Sequence, residues 1–194
     1  MTGGAGAGLR WAGGGRPFPG ERRSGDAWVA RVVDGALHLA VLDVAGHGEA
    51  AAELAEGLVR GLGPRLGGPQ PELLAWMHGA MRGTPGAAAG LGSFDPGRQE
   101  LRWTAVGNVW MRRVGGPRLL SRDGLLGARL PRLVAGVAPL VAGSCWVAGT
   151  DGLRSSAGED LACWLNPVEL VSRLLEGHAR PHDDATCVVV KVLA

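Results

Sequence analysis

The sequence has few cysteines, no excess of charge and no long apolar run, and each shortage excludes a class of function. Only Cys145, Cys163 and Cys187 occur, without a Cys-x-x-Cys pair, so neither a disulfide framework nor a zinc knuckle is expected. The formal net charge is +2, and no dense Lys/Arg run predicts a nucleic-acid partner. No apolar run reaches the length of a membrane span, and the N-terminus lacks the features of a signal peptide. We expect a cytoplasmic protein without a nucleic-acid or membrane partner.

The amount of apolar sequence suits one domain with a sizeable core, over residues 1–194. Hydrophobic residues make up 46% of the 194 residues, which excludes disorder by composition. The first dozen residues are rich in glycine, and we expect them to be flexible. Trp28, Trp103 and Trp146 lie within or beside apolar runs and are predicted to be core residues.

Hydrophobic periodicity and turn signals predict a chain that mixes strands and helices. The dipeptide Asp34-Gly35 between two apolar runs predicts a β-hairpin. Asn166, followed three residues later by Glu169, predicts a capped helix start. The order of elements favours an α+β layered domain of antiparallel strands. The predicted strands are 29–33, 37–42, 87–94, 101–106, 109–114, 144–150 and 185–193; the predicted helices are 50–59, 71–81 and 166–177; 115–139 is predicted to be a long loop with one or two strands.

Carboxylates stand at the ends of predicted strands. Asp26 precedes one strand in SGDAW, and Asp43 follows another in LDVAGHG. Asp151 follows a strand in GTDGL, and Asp183 and Asp184 precede the last strand in HDDAT. A rigid scaffold can bring strand ends together, and carboxylates that meet without a cation shift toward the protonated form. A divalent ion removes this conflict, and oxygen ligands favour Mg²⁺ or Mn²⁺.

Each motif also has an ordinary structural explanation. An Asp before Gly is commonly a turn residue, Asp26 could cap a turn, and the Asp183-Asp184 pair could lie in a solvated turn. All four motifs stand at strand ends, and this coincidence favours a metal site. Glycines after Asp43 and Asp151 would let the backbone turn away and leave room for ions and phosphate. The carbonyl of Val44 would then be available as a further ligand.

The motifs SGD, DVAGHG before a helix, TDGL, and DDAT before a final strand occur in the order of the metal-dependent (PPM) protein phosphatases. The chain most resembles the SpoIIE-type bacterial branch and, within it, the stand-alone RsbX group. The resemblance extends over roughly residues 20–190, nearly the whole chain. It implies a four-layer α-β-β-α sandwich with two central antiparallel β-sheets. It also implies two Mn²⁺ or Mg²⁺ ions at one end of the sandwich.

The resemblance implies a role for each motif residue. Asp43 would bridge both metals, and Asp26 and the Val44 carbonyl would hold one of them. Asp151 and Asp183 would hold the other, because the first residue of the family's final motif is its ligand, which favours Asp183 over its neighbour. A hydroxide bridging the two metals would attack phosphorus in line, so no cysteine or serine nucleophile is needed.

Two positions near these motifs have open roles. The family usually has Ala-Gly-His-Pro where this chain has Val-Gly-Asn-Val at 106–109, so the role of Asn108 is open. His47, in the Gly-His-Gly turn, is a candidate catalytic residue beside Asp43; it could donate a proton or contact phosphate, or it could only shape the start of the helix. Arg22 and Arg23, near SGD, are interpreted as surface residues.

The predicted activity is that of a metal-dependent phosphoserine/phosphothreonine protein phosphatase. The resemblance implies a substrate among sigma-factor or stressosome regulators, namely a phosphorylated STAS-type anti-sigma factor antagonist or a stressosome protein. One alternative is a non-catalytic, phosphatase-like binding module in the same signalling pathway, against which the complete set of carboxylates argues. Another alternative is an unrelated metal-dependent phosphoesterase that acts on a small molecule.

Overall fold

The computed structural model describes residues 1–193, which contain ten strands, three helices and one 3₁₀ turn. The strands are β1 Thr2–Gly6, β2 Leu9–Arg16, β3 Asp26–Val33, β4 Ala36–Val44, β5 Ala87–Asp95, β6 Glu100–Val106, β7 Trp110–Arg113, β8 Gly136–Pro139, β9 Cys145–Gly149 and β10 Ala185–Val192. The helices are α1 Gly48–Leu62, α2 Gln70–Ala80 and α3 Pro167–His178, and the 3₁₀ turn is Gly63–Arg65.

The strands form two five-stranded sheets. Sheet A has the order β1-β2-β10-β9-β7, and sheet B has the order β3-β4-β5-β6-β8. Every pairing of neighbouring strands is antiparallel. Sheet B takes its strands from residues 26–139, whereas sheet A joins the two ends of the chain to β7 and β9.

Three apolar clusters separate the structure into four layers. The first cluster lies between the sheets and includes Leu39, Val41 and Val188. The second packs α1 and α2 against the outer face of sheet B, and the third packs α3 against the outer face of sheet A. The four-layer α-β-β-α sandwich implied by the motifs is therefore confirmed.

The strongest local signals of the sequence predict these elements correctly. The β3–β4 hairpin turns at Asp34 and Gly35, whose φ angles of 49° and 77° are those of a two-residue type I′ turn. Helix α3 begins with a complete capping box, in which Asn166 accepts from the Glu169 backbone N–H and the Glu169 carboxylate accepts from that of Asn166. Trp103 and Trp146 are buried in the core, and Trp28 packs against it.

The expectation of a flexible N-terminus is wrong, because residues 2–16 form strands β1 and β2. Strand β2 pairs with the C-terminal strand β10 along its whole length, from Leu9 to Arg16. The glycines serve packing here: a Cβ on Gly13 would lie 2.4 Å from the Trp28 indole, and one on Gly4 would lie 2.5 Å from that of Trp11. The flat tryptophan rings pack directly on the backbone of these glycines. The high glycine content, which suggests flexibility in the sequence, therefore allows close packing of tryptophan on the strands.

The segment 115–139 contains one short strand, β8, which forms the edge of sheet B. None of the helices within residues 1–193 combines the length and the apolar character needed to cross a membrane.

Candidate metal centre

Asp26 and Asp43 are brought together by strand pairing in sheet B. They are register partners at the open end of the β3–β4 hairpin. The side chains of β4 alternate between the sheets, and Asp43 lies on the side of Leu39 and Val41, which face the space between the sheets. Asp26 shares that side with Trp28, which packs against the same cluster. Both carboxylates therefore lie at one end of the layer between the sheets.

Sheet A brings Asp151 and Asp183 to the same end. Thr150 follows β9, and its backbone N–H donates to the carbonyl of Thr186 in β10 at 3.1 Å. Its hydroxyl crosses between the sheets and donates to Asp26 Oδ2 at 2.6 Å. This hydrogen bond joins the two sheets directly before Asp151. Two residues after Asp151, Leu153 packs in the apolar cluster beneath α3.

Asp184 has a structural part in this arrangement. The residue is 5% exposed, and its carboxylate accepts from the Phe18 N–H at 2.7 Å and from the Gly25 N–H at 3.0 Å. These contacts hold the loop that leads into Asp26 against the start of β10. Because both oxygens of Asp184 are engaged with backbone donors, Asp183 is the member of the pair with a carboxylate available for a ligand role, which supports the preference for Asp183.

Burial and mutual repulsion raise the pKa values of three carboxylates in the cluster. Burial, and then the charge of Asp151, raise the pKa of Asp43 to about 7. Burial, and then the charge of Asp43, raise the pKa of Asp26 well above its usual value. Burial and the charge of Asp151 also raise the pKa of Asp183. In the part of the chain that the structure describes, no Arg, Lys or His forms an ion pair with these carboxylates.

The donor set fits hard divalent cations by its chemistry. Four carboxylates converge, two from each sheet, and their mutual repulsion is relieved either by protonation or by a cation. Among residues 1–193, no three His, Cys, Asp or Glu side chains already surround one point closely enough to hold an ion. A divalent cation would offset the repulsion between these like charges.

Two glycines, Gly25 before Asp26 and Gly46 after Asp43, shape the backbone near these carboxylates. A Cβ on Gly25 would lie 3.2 Å from the Val44 carbonyl oxygen and 2.9 Å from the Ala51 side chain, so the Val44 carbonyl runs close beside the strand that carries Asp26. Gly46 has a φ of 103°, which favours glycine and allows the chain to turn from β4 into α1. The predicted backbone turn after Asp43 agrees with this geometry, and the room for ions and phosphate stays a prediction.

Gly152, after Asp151, is needed for a different reason. A Cβ at this position would lie 1.7 Å from the carbonyl oxygen of Asp184. The loop after β9 therefore packs directly on the backbone that precedes β10. A glycine is the only residue that permits this contact, which joins the loop that carries Asp151 to the segment that carries Asp183.

His47 lies at the edge of this region, at the N-cap position of α1. Its ring stacks on Phe18 at a centroid distance of 4.3 Å, and its Nδ1 lies 3.2 Å from Glu21 Oε1. Half of its side chain is exposed. The contacts of His47 are thus with the loop before β3, and its part in catalysis stays a prediction.

Asn108, whose role the sequence leaves open, lies beside Asp43. Its amide opposes the rise in the pKa of Asp43 through hydrogen bonding. Arg23 forms ion pairs with Glu49 and Glu56 of α1, the latter at 2.7 Å. Its interpretation as a surface residue agrees with these partners. Sequence reasoning missed Thr150, because a threonine before a strand-end aspartate carries no signal of a contact between sheets.

Comparison with known proteins finds solved structures that share this fold. No protein-family model matches the sequence, and no curated protein matches it. A chain from the bacterial stressosome, described as a modular system that has been adapted to control secondary messenger signalling, is 28% identical, with a TM-score of 0.87 over 94% of this chain and 99% of that chain. RsbX, solved in complex with magnesium, is 20% identical, with a TM-score of 0.83 over 98% of each chain. The PP2C phosphatase domain of SpoIIE from Bacillus subtilis is 15% identical, with a TM-score of 0.74 over 95% of this chain and 63% of that chain.

These likenesses confirm the resemblance to SpoIIE-type metal-dependent phosphatases at the level of the fold. The similar structures also include a serine/threonine phosphatase from Mycobacterium tuberculosis, 14% identical with a TM-score of 0.69. Phosphatases are thus among the proteins with this fold, and RsbX was solved in complex with magnesium. What this chain does on that fold follows from its own residues.

Proposed function

We propose that this protein is a Mn²⁺- or Mg²⁺-dependent phosphoserine/phosphothreonine protein phosphatase. The observation that supports it most is the proximity of Asp26 and Asp43 from sheet B to Asp151 and Asp183 from sheet A, with no ion pair to a basic side chain among residues 1–193. A phosphatase for a dianionic phosphoryl group needs positive charge at this place, and this set of oxygen ligands recruits it as divalent ions.

Each residue has a part in this proposal. Asp43 would hold both ions, Asp26 and the Val44 carbonyl would hold one, and Asp151 and Asp183 would hold the other. The pair of ions would supply an activated water and would neutralise charge on the phosphoryl oxygens. Thr150 orients the Asp26 carboxylate through its 2.6 Å hydrogen bond, as a supporting shell must.

We propose a phosphorylated STAS-type anti-sigma factor antagonist or stressosome protein as the substrate, in the cytoplasm. The likeness to a stressosome chain and to RsbX over nearly the full length of each chain supports a partner in such a complex. The free thiols Cys145, Cys163 and Cys187 agree with a reducing compartment.

The test is phosphate release from a phosphoserine-bearing STAS-type protein, with Mn²⁺ and with chelator. We expect turnover that requires the metal and disappears in Asp43→Asn. A generic aryl phosphate is assayed in parallel, because it reports on the chemistry without protein recognition. Hydrolysis of neither substrate by folded, Mn²⁺-loaded protein would contradict the proposal and favour a module that binds phosphoproteins without turnover.

A further inference from the structure

A basic cavity adjoins the candidate metal centre on the side of Asp183. Its volume is about 580 Å³, and residues 154–156 and 180–183 line it. Its basic members, Arg154, Arg180 and His182, are exposed at its rim. Within residues 1–193, none of these three side chains forms an ion pair with the protein.

The backbone of this cavity is tied to the metal-ligand loops. The Arg154 N–H donates to the His178 carbonyl at 2.9 Å, and the Arg180 N–H donates to the Gly152 carbonyl at 2.7 Å. These bonds pair the loop after β9 with the segment after α3. The Arg16 guanidinium in β2 also donates to the Arg180 carbonyl. The backbone of Arg154 and Arg180 is therefore hydrogen-bonded within the same pair of segments that carries Asp151 and Asp183.

The size and charge of the cavity define the ligand that it would accept. The two guanidinium groups form no ion pair within residues 1–193, although the charge of Arg180 also acts on Asp183 and opposes the rise in its pKa. Such exposed groups favour an anion, and arginine binds carboxylates and phosphates well. A phosphoryl group at the metal centre would lie next to Asp183, at one side of the cavity. The remaining volume extends toward Arg154 and Arg180, where the residues flanking a phosphorylated side chain would lie.

We propose that Arg154 and Arg180 form a specificity subsite for acidic side chains that flank the phosphorylated residue of a protein substrate. This inference rests on the proposed phosphatase function, and it adds the chemical character of the substrate segment. The subsite acts on substrate affinity and leaves the chemical step alone. Attraction between exposed opposite charges is modest and screened by salt.

The experiment compares two phosphoserine peptides in the Mn²⁺-loaded protein, one with Asp and Glu around the phosphoserine and one with Asn and Gln in their place. The test variant is Arg154→Gln/Arg180→Gln, and the matched control is Arg173→Gln on the exposed surface of α3. We expect the double variant to raise KM for the acidic peptide roughly three- to tenfold, with kcat unchanged. KM for the neutral peptide and hydrolysis of an aryl phosphate stay at the wild-type values, and added salt removes the preference of the wild type.

Two results would overturn the subsite. One is an equal loss on the aryl phosphate, which would place the arginines at the phosphoryl group itself. The other is an unchanged preference for the acidic peptide in the double variant. Fluorescence anisotropy of labelled peptides on the Asp43→Asn protein measures the same preference without turnover. If wild-type protein hydrolyses nothing, the phosphatase proposal fails, while the anisotropy preference and its dependence on both arginines still decide the subsite.

Discussion

Replacing Gly152 by alanine tests whether close packing of two loops sets the geometry of the metal centre. The new Cβ would lie 1.7 Å from the Asp184 carbonyl oxygen, whereas ordinary contact begins at 3.4 Å, so the two backbones must separate by about 1.7 Å. The obstructing atom belongs to the backbone and cannot rotate away. Overpacking of this kind costs about 1–3 kcal/mol, and we expect the upper end, which for a chain of this length lowers the unfolding temperature by roughly 6–12 °C.

The same displacement moves Asp151 away from Asp183. An error of about 1 Å in the placement of reacting groups can reduce turnover about 100-fold. We therefore expect Gly152→Ala to lose most of its Mn²⁺-dependent phosphate release and most of the rise in unfolding temperature that Mn²⁺ produces in the wild type. Circular dichroism during heating, with Mn²⁺ and with chelator, measures the stability, and phosphate release from an aryl phosphate measures the activity.

Gly57→Ala is the matched control for this substitution. Gly57 lies within α1, and a Cβ there would meet no heavy atom within 4 Å. Alanine is favoured over glycine in a helix by about 0.8–1 kcal/mol, so this variant should melt slightly higher and keep its Mn²⁺ response. If Gly152→Ala melted like the wild type and kept full turnover, the argument from the Asp184 contact would be refuted.

Three further substitutions separate structural roles from functional ones. Thr150→Val removes the hydroxyl bound to buried Asp26, and we expect a loss of about 1–3 kcal/mol in urea unfolding; unchanged stability would contradict the proposed link between the sheets. Asn166→Ala breaks the capping box of α3 and should cost about 1 kcal/mol, with Mn²⁺-dependent turnover per folded molecule as in the wild type. Arg23→Gln loses only exposed ion pairs with α1, so turnover should be unchanged, and a large fall in kcat would instead place Arg23 at the phosphate.

The predictions from local sequence signals agree closely with the structure. The hairpin at Asp34-Gly35 and the helix start at Asn166 each depend on residues within a few positions of one another. Such turn and capping preferences act between neighbouring residues and do not require a tertiary contact. The N-terminal strands were missed because their glycines are explained by Trp11 and Trp28, and the contact with Trp28 spans fifteen positions of the chain.

The candidate site also has features that the sequence shows and features that only the structure shows. The strand-end positions of Asp26, Asp43, Asp151 and Asp183 are visible in the sequence, and the motif order adds their expected roles. The choice between Asp183 and its neighbour gains physical support only from the structure, in which Asp184 accepts from Phe18 and Gly25. Asn108 beside Asp43, and the arginines of the basic cavity, also depend on loops that are distant in the chain.

By itself, the sequence determined that Asp26, Asp43, Asp151 and Asp183 lie at or near the ends of strands, because apolar runs and turn residues are local signals. Tertiary structure alone decided that the ends carrying Asp26 and Asp43 in sheet B meet those carrying Asp151 and Asp183 in sheet A. That meeting depends on how two sheets pack through a shared apolar layer, and packing between layers is decided by contacts between distant segments that no local pattern encodes.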